Sequence, residues 1–231
     1  MTVERVIATF EKTLSDIVII KTNWLIWKGL RNNLHKGAEY EELLEYSPCF
    51  WTITLDNLLS KVLMGTAKLY DEDKGCMGLQ KIINICEQHQ KLFPKSRTIM
   101  VTDGYTGEKD SYIVEKDIIA DIKNARQKYQ SVKDIRMQLI TLRDKHLAHT
   151  DKSVFLGTEG FYREISLKGE ALEKLIEIAA DIVNTFLSNL SDTLFYTEFE
   201  NADDYEKLLR YVKKGKEAYR QEIRSKINHS N

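Results

Sequence analysis

SVKDIRMQLITLRDKHLAHTD, residues Ser131 to Asp151, decides how the rest of the chain is read. Val132, Ile135, Leu139, Leu142, His146 and His149 follow alternating steps of three and four, so on one helix they share a face. Four are aliphatic and the last two are imidazoles, with Arg143 and Asp144 beside the stripe. An apolar stripe that turns into Arg, Asp, His, His has two explanations. Either these groups are satisfied inside a core, or they face a cleft or partner and do chemistry.

Working backwards, Ile118, Ile119, Ile122 and Tyr129 extend the pattern, and Tyr112 to Ala148 is the longest helical window. Ser96 to Ser111 breaks it: Ile99 and Val101 alternate with polar residues, then Asp103-Gly104 and Thr106-Gly107 offer turns, as in a small hairpin or a loop. Met77 to Phe93 reads as an amphipathic helix stopped by Pro94, with His89 as a surface residue. Cys49 to Tyr70, started by Ser47-Pro48, is apolar around most of its circumference and reads as the central buried helix. Its Asp56 then needs a partner, for which Arg143 or a histidine is available. The helix ends near Asp71-Glu72-Asp73.

At the N-terminus, Val3, Val6, Ile7, Phe10, Leu14, Ile17 and Val18 lead a long helix from about Thr2 to Leu30, with Thr2 as its cap. Trp24 and Trp27 read as large residues of its buried face rather than as a platform for bases.

Working forwards from the opening stretch, Gly157 and Gly160 bracket Thr158-Glu159 in what reads as a small hairpin. Leu172 to Leu190 is a clear amphipathic helix. The last helix, about residues 203–228, starts acidic (Asp203, Asp204, Glu206) and becomes basic, which complements the helix dipole. Its row of lysines and arginines, from Lys207 to Lys226, reads as a solvated face before it reads as an RNA contact. The expected fold is therefore all-α: one domain over residues 1–231, an up-and-down bundle of five to six helices with one long loop or small hairpin.

Composition narrows the function classes. A hydrophobic content of 42% supports one substantial core, and a formal net charge of −1 excludes a strongly basic chain of the histone kind. Cys49, Cys76 and Cys86 are an odd number without CxxC spacing, which argues against a disulfide framework or zinc ribbon and for a reducing compartment. Charged residues in the first turns argue against a secretory signal, and the most apolar window, residues 17–30, is broken by Lys21 and Lys28. A cytoplasmic protein with no membrane partner is expected. His146, His149 and Asp151 make a poor metal pattern without HExxH, and phosphate-cradling or nucleophile-elbow motifs are missing, so neither metal nor other cofactor is expected.

The chemistry left is that of Arg143 with the histidines. A histidine titrates near neutral pH and serves as general acid or base. An arginine stays charged and holds a phosphate through parallel hydrogen bonds. Together they suit metal-independent cleavage of RNA, one group activating the 2′-hydroxyl and the other stabilising charge on the phosphate. Arg136, two turns before Arg143, extends the phosphate contact. Arg143 and His149 lie roughly 120° apart on an ideal helix. They converge only if the helix end loosens or two copies meet.

Arg143, five residues, then His149, with the polar Asp144 after the arginine, resembles the R-x(4-6)-H signature of the HEPN superfamily. The wider phrase LRDKHLAHTD is similar to the AbiU-type HEPN proteins of bacterial abortive infection. The resemblance implies a helical bundle that dimerises with the motif helices facing each other, acting as a metal-independent ribonuclease in phage defence or as a toxin. It implies Arg143 and His149 as catalytic, Asp144 as an orienting or polarising group, and His146 as a supporting residue in the motif's interior. RNA is the implied partner, with room for an antitoxin or regulatory protein. Two other readings stay open. One is a catalytically silent HEPN module that binds RNA, a nucleotide or a protein. The other is a plain bundle whose Arg143, Asp144 and histidines form a buried polar network.

Overall fold

The computed structural model describes residues 1–73, 75–102, 109–144, 167–191 and 202–229. Helices α1 (Val3–Leu34), α2 (Glu41–Tyr46) and α3 (Pro48–Leu69) are followed by α4 (Leu79–Gln88), which ends in a single 3₁₀ turn, Gln90–Leu92. A two-stranded antiparallel ribbon comes next, β1 (Ser96–Thr102) with β2 (Lys109–Glu115), pairing Ser96 with Glu115 and Thr102 with Lys109. Then come α5 (Ile118–Ser131), α6 (Lys133–Leu142), α7 (Gly169–Leu190) and α8 (Asp204–His229). The all-α class expected from the periodicities holds, and the break at Ser96 to Ser111 is a hairpin. Its turn residues, and the second hairpin expected around Gly157 and Gly160, lie outside the described residues.

Local signals explain most boundaries. The Thr2 hydroxyl accepts from the Arg5 amide at 3.4 Å and starts α1 as an N-cap. Pro48 is the first residue of α3. Asp117 caps α5 by accepting from Ile119 and Ala120.

The long window of Tyr112 to Ala148 is not one helix. Tyr112 belongs to β2, and the helical part breaks at Val132, with φ −113° and ψ 20°. The Ser131 hydroxyl donates to the Lys128 carbonyl at 2.8 Å, a local bond that competes with helix continuation. Val132 itself is buried and anchors the joint. Its carbonyl accepts from Arg136 to begin α6.

The chain divides into two compact units, residues 1–17 with 63–197, and residues 18–62 with 198–231. In the first, α7 is the most buried element, with Leu175, Ala179, Val183, Phe186 and Leu187 fully enclosed. The Phe186 ring lies 6.4 Å from Phe10 and 6.5 Å from Phe93. Asn189, the polar residue on this face, donates to Asp121 at 2.7 Å.

The second unit has its own core of Leu30, Leu34, Tyr40, Leu43, Trp51 and Leu209. Gly29 lets Tyr205 close on α1: a Cβ there would sit 1.9 Å from the tyrosine hydroxyl. Trp24 is buried and stacks on the half-buried Trp27 at 5.1 Å, with Lys28 and Arg31 over the two rings. The tryptophans thus serve the fold, as the helical face suggests.

Helix α3 is not the central buried helix that its composition implies. Phe50 and Ile53 are exposed, and Asp56 is exposed as well, so it needs no buried partner.

Candidate active site

The end of α3 supplies what the motif arginine meets. Past Leu69 the chain turns, with the Asp73 amide donating to Asp71 Oδ1 at 3.0 Å. Gly78 allows this turn to pack closely, because a Cβ there would lie 2.5 Å from the Asp71 carbonyl oxygen. The turn presents two consecutive acids, Asp71 and Glu72, to two arginines of one helical face, Arg143 and Arg136.

Arg136 is buried, and its Nη1 donates to Glu72 at 2.5 Å. Its guanidinium lies 4.0 Å from the centre of the Tyr129 ring, a cation–π contact. The Tyr129 hydroxyl also donates to Glu72, at 3.0 Å, and its ring stacks on Tyr70 at 5.8 Å. The Tyr70 hydroxyl donates to the Leu175 carbonyl on α7 at 2.7 Å. Burial pushes both tyrosine hydroxyls far above their ordinary range, which keeps them neutral donors. The Arg136 hydrogen bond, followed by that of Tyr129, holds the Glu72 carboxyl below its ordinary value. Arg136 is thus spent inside the fold: a group stacked on Tyr129 and bonded to Glu72 is a support of the site rather than a surface for phosphate.

Arg143 stands at the end of α6, where its amide bonds the Leu139 and Ile140 carbonyls. The backbone at Arg143 is still α-helical, with φ −57° and ψ −52°. Nη1 donates to Asp71 Oδ2, and Nε donates to Asp144 Oδ1 at 2.7 Å. The Arg143 side chain is 17% exposed, Asp71 12% and Asp144 51%. The Asp73 amide, with Arg143 adding to it, holds the Asp71 carboxyl below its ordinary value. Asp144, then Asp71, raise that of Arg143. The cluster is one cation between two carboxylates. His146 and His149, and the weak metal pattern with Asp151, lie outside the described residues.

The basic row of α8 divides in two. Lys216 and Arg220 share Glu42, at 3.0 and 3.2 Å, and Lys213 meets Glu39 at 3.2 Å. Among the described residues Arg210, Lys214 and Arg224 form no ion pair, as a solvated face would have it. All three cysteines are free thiols. Among the described residues no helix is long and apolar enough to cross a membrane.

Asp71 and Glu72 are the residues that sequence reasoning missed. They look like an ordinary helix end, and only Gly78, seven residues beyond Asp71, marks the close packing of the turn.

An all-α chain with an arginine held at the end of its motif helix defines the class. A family model described as AbiU2 matches residues 4–208, and the chain belongs to this abortive-infection family of HEPN proteins. No curated protein and no solved structure matches it.

Proposed function

We propose that this protein is a metal-independent endoribonuclease of HEPN type, a phage-defence or toxin-like effector that works as a homodimer with a composite Arg/His site. The observation that carries the reading is the placement of Arg143: a partly exposed guanidinium, anchored through Nη1 on Asp71, at the end of the motif helix. In this reading His149 takes the proton from a ribose 2′-hydroxyl, and Arg143 stabilises the charge that grows on the phosphate as the O2′–P bond forms and the P–O5′ bond breaks, leaving a 2′,3′-cyclic phosphate and a 5′-oxygen that takes a proton from water. His146 supports that pair, and Asp144 orients Arg143 through Nε before the substrate enters. Arg136 acts at one remove, fixing Glu72 and the turn that carries Asp71. RNA is the substrate, and an antitoxin or regulatory protein would restrain it in the cell.

One observation favours the second reading, a silent module that binds RNA, a nucleotide or a protein. Arg143 is already satisfied by two carboxylates.

Cleavage of mixed RNA in EDTA, comparing wild type with His149→Ala at matched dimer fraction, separates the two. Products with 2′,3′-cyclic phosphate ends that vanish in the variant support the ribonuclease. A folded wild-type dimer that binds without cutting supports the silent module.

A further inference from the structure

We propose that Asp71 is the positioning residue of Arg143, and that an RNA phosphate reaches this arginine by displacing Asp144. The inference rests on the reading of Arg143 as the phosphate contact.

The two carboxylates are not equivalent. Asp71 has both oxygens engaged, Oδ1 by the Asp73 amide and Oδ2 by Arg143 Nη1. Its backbone carbonyl lies against Gly78, where no side chain fits. Asp144 is half exposed and, among the described residues, is held only through Arg143 Nε. A cation between two carboxylates carries a net negative surrounding, so a phosphate entering without a departure meets repulsion. Releasing Asp144 to water costs little, because exposed pairs are weak. Releasing Asp71 would leave the most enclosed charge of the cluster without its partner, which costs far more. Exchange at Nε alone keeps Nη1 on Asp71. The guanidinium plane then stays fixed while one edge is offered to the phosphate, and the planar fork makes that edge specific. The supporting stack of Arg136 on Tyr129 holds Glu72, the next residue, so the anchor is tied to the core and not only to the end of α6.

The test is binding of a fluorescent 2′-O-methyl oligoribonucleotide, which offers phosphates but no attacking hydroxyl, by anisotropy at fixed ionic strength. Asp144→Asn removes a competitor and should tighten binding by about threefold. Asp71→Asn also removes a negative charge, yet should weaken binding by about threefold or more, because the arginine loses its orientation. Opposite signs from two like-charge removals are what a merely structural or merely electrostatic role would not give. Should both variants tighten binding alike, or should Asp144→Asn leave it unchanged, the proposal is overturned. Arg143→Ala sets the baseline: if it binds as tightly as wild type, the ribonuclease reading itself has lost its phosphate contact. A second readout needs no carboxylate variant. The Arg143 Nε–H resonance of the wild-type protein, assigned by its loss in Arg143→Ala, should shift on adding the oligonucleotide. A resonance that stays in place while the probe binds overturns the exchange.

Discussion

At Glu42 two cations, Lys216 and Arg220, share one carboxylate; at Arg143 two carboxylates, Asp71 and Asp144, share one cation. The two clusters belong to different units of the chain, and their stoichiometries are inverted. Glu42 is 66% exposed and Arg220 54%, so that pair is bathed in water and salt, while Lys216 beside it is largely covered. Asp71 is 12% exposed, and the neighbouring Arg136 is stacked inside the core. Arrangement, more than the number of ion pairs, sets what each cluster is worth. An enclosed, hydrogen-bonded pair loses stability when it is broken, whereas an exposed pair is replaced by solvent.

The sharpest way to break this contrast is Arg136→Met. It removes the cation from the Tyr129 ring and leaves Glu72 with one partner, which should cost about 3 kcal/mol. For a chain of this size the melting temperature should fall by roughly 6–12 °C. A loss no larger than that of an exposed pair would show that the buried ladder is not structural. Gly78→Ala should come next, at about 2 kcal/mol, since the added Cβ meets backbone that cannot swing aside. Its thermal melt should fall, and the Arg143-dependent part of RNA binding should fall with it.

The third effect concerns pH. The Glu72 carboxyl lies below its ordinary value of 4.5 in the folded chain. Its contribution is complete above that value and is lost as the pH falls through the lower, folded one. Acid melts of Glu72→Gln should therefore depend less steeply on pH below 4.5 than those of wild type. Equal slopes would mean that other carboxylates carry the acid transition. The smallest effect belongs to α8: Arg220→Ala, which breaks a pair exposed on both sides, should move the melting temperature by no more than about 2 °C, and less still at high salt. A large drop there would erase the comparison.

The motif lent itself to reading because its residue types and spacing are local. Arg143 and its neighbour Asp144 do meet each other, as adjacent residues of the motif can. The break at Val132 was not legible, since apolar spacing continues smoothly through it and only the Ser131 hydroxyl tells against the helix. Nor was the exposure of Asp56: a helix apolar on most sides does not say which side faces water, and α3 exposes Phe50 and Ile53 as well. Arg136 pointed to phosphate because a cation on the motif face looks alike whether it faces RNA or a tyrosine ring.

By itself the sequence determined the helical class, most of the helix starts, the amphipathic face of α7 and the motif that places the chain in its family. Each of these is set by interactions within a few residues: apolar period, capping groups, proline. The tertiary structure alone decided that Asp71 meets Arg143 across 72 positions of chain, that Glu72 meets Arg136, and that Gly78 must be small. These depend on which helix ends pack together. No local signal in either segment carries that information, because a carboxylate at a helix end looks the same with or without an arginine waiting for it.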